Sequence, residues 1–225
     1  MQRRLILDNA ARRIAAEAKP ILFLDTCVML DVFRVVERAS NYAPFNVYVE
    51  LAKKVKARDV IIVYNDTVLS EYRFNAPTVV QEQRSKILSL NRRWNAFRSM
   101  KDKAAVHNDV NLSVDKIIYA AESTLSTIIK DAIIVKDYDA ALRSSYDVVL
   151  KHKAPAVRDS QFKDAYIFKT CLDLAKKSGK QIIFCSTNTK DYCDDSKKVH
   201  PEIAKQANEN NVIVTLSLGE AYGKL

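Results

Sequence analysis

The chain has 225 residues, 48% of them hydrophobic, and a formal net charge of +9. That apolar share is ample for a real core at this length, and the charges are interspersed rather than massed, which excludes a disordered polypeptide. The only three glycines stand at 179, 219 and 223, so no glycine-rich phosphate loop, dinucleotide fingerprint or G-x-S-x-G nucleophile elbow can be written.

In chain order, Leu5, Ile6, Ile14 and the neighbouring alanines predict a helix over residues 3–18, stopped by Pro20. Ile21-Leu22-Phe23-Leu24 is a short apolar run ending at Asp25, the pattern of a strand buried on both faces. Helices are predicted over 28–38 and 47–57, then a second buried strand at Val60–Val63 followed by Asn65-Asp66-Thr67. A helix carrying Val68, Leu69 and Glu71 comes next. Residues 79–150 read as a long, glycine-free, mostly helical insertion packed on the sheet, with breaks near 101–113 and 151–160. Its apolar and aromatic positions, Trp94 among them, are expected in the core. A helix over about 160–177 ends at Gly179. A third buried strand at 181–185, a helix near 200–209 and a strand at 212–216 complete the pattern. Such alternation predicts a single α/β domain over 1–225, three-layered α/β/α around a mostly parallel sheet, with 79–150 as its helical insertion.

In an open parallel sheet, sites assemble at the carboxyl ends of strands. Asp25 ends the first strand, Glu71 follows the second, Asp164 opens the helix feeding the third, and Ser186-Thr187-Asn188-Thr189-Lys190-Asp191 follows the third. Carboxylates brought to one rim repel one another, and a cation makes their approach tolerable. Oxygen donors without His or Cys suit Mg²⁺ or Mn²⁺, which serve phosphodiester hydrolysis. His107, His152 and His200 are too scattered for H-E-x-x-H zinc chemistry. The four cysteines form no C-x-x-C pair, which points to a reducing cytoplasm, with Cys27, Cys171 and Cys185 as small buried hydrophobes. No signal peptide is expected, and no apolar run nears the about 18 residues of a membrane span. The basic excess suits a polyanion.

Four segments resemble the motifs of the PIN-domain family of metal-dependent ribonucleases, in the family's order: Ile21–Leu30 with its Asp25-Thr26, Leu69-Ser70-Glu71-Tyr72, Lys163-Asp164-Ala165-Tyr166-Ile167, and Phe184–Tyr192. The resemblance covers about 21–75 and 155–217 and fits larger bacterial-type members with a helical insertion. It implies a PIN-like fold and an endoribonuclease whose catalytic metal ligands are Asp25, Glu71 and Asp164, with Mg²⁺ or Mn²⁺ as cofactor. RNA is then the partner expected first and DNA second, with no membrane; homo-oligomerisation and an antitoxin-like protein partner are left open.

One departure matters. The position where the fourth motif usually holds an acid is Thr189, and Asp191 falls two residues later. Asp159, Asp191 and Asn188 are therefore the candidates to complete the metal site, with Thr187 helping through water. A binding-only PIN fold, a structure-specific DNA nuclease, and an aspartyl phosphatase with Asp25 as nucleophile stay as alternatives; the last wants an aspartate where Cys27 stands. Asp31 reads as a solvated or supporting acid, and Asp194-Asp195 as a solvated turn. Arg73, Arg158, Lys163, Lys169 and Lys190 flank the acids and are candidates for phosphate contact.

Overall fold

A computed structural model describes residues 3–34, 45–100, 113–156 and 162–225. Among them, six strands form one parallel sheet: β1 Arg3–Leu5, β2 Ile21–Leu24, β3 Ile61–Asn65, β4 Ile133–Val135, β5 Ile182–Cys185 and β6 Val212–Thr215, in the order β1-β4-β3-β2-β5-β6. The helices are α1 Leu7–Ala15, α2 Thr26–Asp31, α3 Phe45–Ala57, α4 Asp66–Met100, α5 Val114–Ile129, α6 Asp139–Leu150, α7 Phe162–Ser178, α8 Thr189–Tyr192, α9 Pro201–Glu209 and α10 Leu218–Tyr222. On one side of the sheet α1, α6 and α7 pack together; α3 packs on α5 and α10, and α2 on α4, in the opposite layer. The α/β/α reading holds, and the sheet is parallel throughout.

Every residue of β2 and β5 is buried, which is why these strands read as unbroken apolar runs. From β2 the chain moves one way along the sheet, through β3 to β4, then returns through α7 to β5 on β2's other side. The segments after β2 and β5 therefore diverge at a topological switch point, the place where open α/β sheets leave a crevice beyond the carboxyl ends of their strands. Register decides what lines it. Leu24 pairs with Cys185, and Asp25 N donates to Cys185 O at 3.0 Å, so Asp25 and Ser186 leave the sheet side by side.

Three expectations need correction. The helix expected over 3–18 is a three-residue strand followed by a helix from Leu7, whose buried Leu7, Ala10, Ala11 and Ile14 keep helical spacing. Ile133–Val135, expected to be helical, is β4 and fills the sheet between β1 and β3. Both strands are too short for an alternation to register. Trp94, expected in the core, is 41% exposed and stacks obliquely on Phe97, half exposed, with ring centroids 6.1 Å apart. The 35-residue α4 runs about 50 Å, and helical spacing alone cannot tell where its apolar face ceases to be covered. The helix expected over 28–38 is described only as Thr26–Asp31; residues 35–38, and residues 101–112 and 157–160 of the two predicted breaks, lie outside the described residues. Among the described residues, no helix is long and apolar enough to cross a membrane.

The aromatic heart of the core lies directly under the crevice. Phe184, fully buried on β5, meets Phe23 (5.9 Å between centroids), Phe168 (5.3 Å) and Tyr192 (5.4 Å). Phe184 thus packs β2, α7 and α8 against one side chain. Phe184→Ala is expected to cost about 3–5 kcal/mol, read in urea as a lower midpoint at unchanged m-value. A change under 1 kcal/mol would contradict this packing.

Candidate functional site

Asp25 is almost fully buried at the N-terminus of α2. Its Oδ1 accepts from Thr26 N at 2.6 Å, and its Oδ2 accepts from Ser186 Oγ at 2.6 Å and from the Cys27 thiol at 3.0 Å. Burial drives its pKa up, the hydrogen bonds from Ser186, Cys27 and Thr26 pull it back, and the charge of Glu71 adds a further upward push. Cys27 is itself a thiol, not a thiolate: burial and the charge of Asp25 raise its pKa well above the ordinary value. Its Sγ also accepts from Thr187 N at 3.0 Å. The expectation of a merely apolar Cys27 is thus replaced by a half-buried, hydrogen-bonded one, whereas Cys171 and Cys185 are fully buried as expected.

Glu71 and Asp164 are positioned by one amide. Asn65, buried at the end of β3, accepts from Val68 N at 3.0 Å, which starts α4. Its Nδ2 donates to Thr170 Oγ1 at 3.2 Å, which ties that start to α7. The helix carrying Glu71 and the helix carrying Asp164 are thereby held to each other. Thr26 Oγ1 donates to Glu71 Oε2 at 2.8 Å, linking α2 to the same rim.

The segment after β5 closes the site. Ser186 Oγ accepts from Asn188 N at 3.1 Å, which turns the chain inward. Asn188 Nδ2 then donates to Asp164 Oδ1 at 3.2 Å and to Asp191 Oδ2 at 2.6 Å, and Tyr192 OH donates to the Asp164 carbonyl at 3.1 Å. The turn α8 brings Asp191 inside, while Thr189 is exposed. The acid two residues beyond the expected position is therefore the one that faces Asp164. Asp31 is buried, accepting from Thr187 Oγ1 at 2.7 Å and pairing with Arg34 at 3.4 Å; it supports the loop and is not solvated. Asp194 does sit in a turn, accepting from Ser196 and Lys198 N. Among the basic residues, Lys163 pairs with Glu71 at 3.1 Å, Lys169 is held by Asp173 at 2.6 Å, and Arg73 and Lys190 are exposed. Asp159 and Arg158 lie outside the described residues. Sequence reasoning assigned no site role to Thr26, Cys27, Ser186 or Asn65. Thr26 and Ser186 adjoin strand ends and carry that weak signal, and Asn65 directly precedes the helix it caps.

Asp164 reports how close the charges are. Burial first, then the charges of Asp25, Asp191 and Glu71, push its pKa from 3.8 up to about 8, against the lowering hydrogen bond from Asn188. Among the described residues, no group of three or more His, Cys, Asp or Glu side chains is arranged to hold a metal ion as it stands. In kind, the donors fit a hard divalent cation: they are oxygens from four separate elements, and their charges destabilise one another.

A parallel α/β sheet with carboxylates gathered at its switch point defines a class of fold rather than one activity. A family model described as PIN domain matches residues 22–192, three-quarters of the chain, and the chain belongs to the PIN-domain family. Comparison with curated proteins and with solved structures returned no match. PIN domains are typically nucleases and generally use a divalent metal, which makes the chain a nuclease-type enzyme at that coarse level.

The pKa of Asp164 sets a pH dependence of stability. Unfolded, it loses its proton near pH 4; folded, it keeps it to about pH 8. Between those values the native state binds the extra proton, so this group makes stability fall as pH rises through that window, and adds nothing further above it. In chelator, Asp164→Asn is expected to flatten the fall in Tm between pH 5 and 8 and to melt higher than wild type at pH 8. Parallel Tm–pH curves for the two proteins would contradict the shift.

Proposed function

We propose that this chain is a metal-dependent endoribonuclease, hydrolysing RNA phosphodiester bonds at the crevice between β2 and β5. The observation that carries the reading is the convergence of four carboxylates, Asp25, Glu71, Asp164 and Asp191, on one rim, close enough that three of them raise the pKa of the fourth. Asp25, Glu71 and Asp164 would hold Mg²⁺ or Mn²⁺ with Asp191, and Asn188 would steady the last two. Once bound, such an ion neutralises the rim, activates a water and stabilises charge on the phosphate.

The chain's own groups prepare that site. Thr26 N, Ser186 Oγ and the Cys27 thiol fix the Asp25 carboxylate at the end of β2. Asn188 holds Asp164 and Asp191 to a common amide, so neither drifts away when the other is neutralised. The net charge of +9 supplies the sequence-independent attraction to an RNA backbone. Inward placement of Asp191 supports a catalytic over a binding-only PIN fold, because an acid occupies the rim although position 189 is threonine. RNA is the proposed partner, and the reducing cytoplasm, where four free cysteines persist, the proposed setting.

The test is cleavage of single-stranded and structured RNAs and DNAs with Mg²⁺, with Mn²⁺ and with chelator. RNA cleavage is expected only with the cations, and Asp25→Asn is expected to lower its rate roughly 100-fold or more while keeping most RNA binding. Equal rates in the two proteins would remove Asp25 from the chemistry. Cleavage confined to DNA would overturn the RNA assignment, and salt-sensitive binding without any cleavage would leave a binding module.

A further inference from the structure

Both oxygens of Glu71 are committed. Oε2 accepts from Thr26 Oγ1 at 2.8 Å, and Oε1 pairs with Lys163 Nζ at 3.1 Å. Lys163 immediately precedes Asp164 in the first turn of α7, so one helical turn delivers an acid and an ammonium to the same rim. The two partners differ in how firmly they are held. The Glu71 side chain is 20% exposed and anchored from α2, whereas that of Lys163 is 64% exposed. Lys169, six residues further along α7, is held by Asp173 at 2.6 Å and is not available in the same way.

A cation taking Glu71 as ligand has to compete with the ammonium for Oε1. Exposed lysine pairs are weakly held, so the lysine is the group that yields. It then stands beside a site that has gained positive charge and has lost its own counter-ion. The anion best placed to replace that counter-ion is a phosphate drawn to the rim. We infer that Lys163 is the counter-ion of Glu71 in the cation-free protein and becomes an RNA-phosphate contact when a divalent cation takes its place. This rests on the metal-dependent nuclease reading and adds a regulatory property to it. Cation and RNA bind with positive coupling, and the coupling passes through Lys163. By linkage the effect is reciprocal, each ligand tightening the other by the same factor.

Wild type, Lys163→Gln and Lys163→Arg are titrated with Mn²⁺ alone by calorimetry. Each is also titrated with a fluorescent single-stranded RNA by anisotropy, with and without Ca²⁺, over a range of KCl. Removing the competing ammonium is expected to tighten Mn²⁺ in Lys163→Gln by about threefold or more. In wild type, Ca²⁺ is expected to tighten RNA by at least about fivefold. In Lys163→Gln that factor should fall towards one, and the salt slope with Ca²⁺ should drop by about 1; Lys163→Arg should keep the coupling. Cation-linked RNA binding that is unchanged in Lys163→Gln, or unchanged Mn²⁺ affinity there, overturns the role of Lys163 alone. Wild-type protein that binds neither Mn²⁺ nor RNA overturns the nuclease reading and this inference with it.

Discussion

A carboxylate taken out of water must be hydrogen-bonded or neutralised, and the buried Asp25 at the carboxyl end of β2 imposes that condition on its surroundings. Its donors come from its own helix, as Thr26 N and the Cys27 thiol, and from the neighbouring strand, as Ser186 Oγ. The β2–β5 register is what makes the last one available, since Asp25 and Ser186 follow the paired Leu24 and Cys185. Ser186 in turn accepts from Asn188 N, and that bend carries the Asn188 amide to Asp164 and Asp191. A single buried charge therefore propagates, through one serine, into the geometry of the whole rim.

The second constraint is repulsion. Four acids on four elements gather where the sheet reverses its direction of growth, and burial first, then the field of the other three, pushes the pKa of Asp164 up to about 8. The fold tolerates this because each acid is met by protein donors: Ser186, Cys27 and Thr26 at Asp25, Thr26 and Lys163 at Glu71, Asn188 at Asp164 and Asp191. That internal satisfaction explains how carboxylates can be electrostatically coupled while no three side chains are grouped as ligands among the described residues. The charges of the rim are met by these side-chain donors.

How much was legible depended on length and on burial. The strands β2, β3 and β5 announce themselves because four or five apolar residues bounded by polar ones have no competing reading once they are this short. β1 and β4, three residues each, do not: Arg3 and Arg4 look like a charged helix face, and Ile133–Val135 continues the apolar supply of the helix before it. At the site, Asp25, Glu71 and Asp164 stand out as candidates because acids at strand ends in a parallel sheet fall on one rim. Asp191 was harder. Counting along the chain favours position 189, and only the turn α8 exposes Thr189 and buries Asp191.

By itself, the sequence determined the α/β alternation, the absence of glycine-dependent phosphate chemistry and the family, because apolar runs, missing glycines and local motifs are properties of neighbouring residues. Tertiary structure alone decided the strand order, with β4 between β1 and β3, and the abreast exit of Asp25 and Ser186. It also decided the pairing of Lys163 with Glu71 and the raised pKa of Asp164. Those are consequences of register, crossover and burial, which bring residues such as Asp25 and Ser186, 161 positions apart, into contact, and no pattern along the chain encodes such distances.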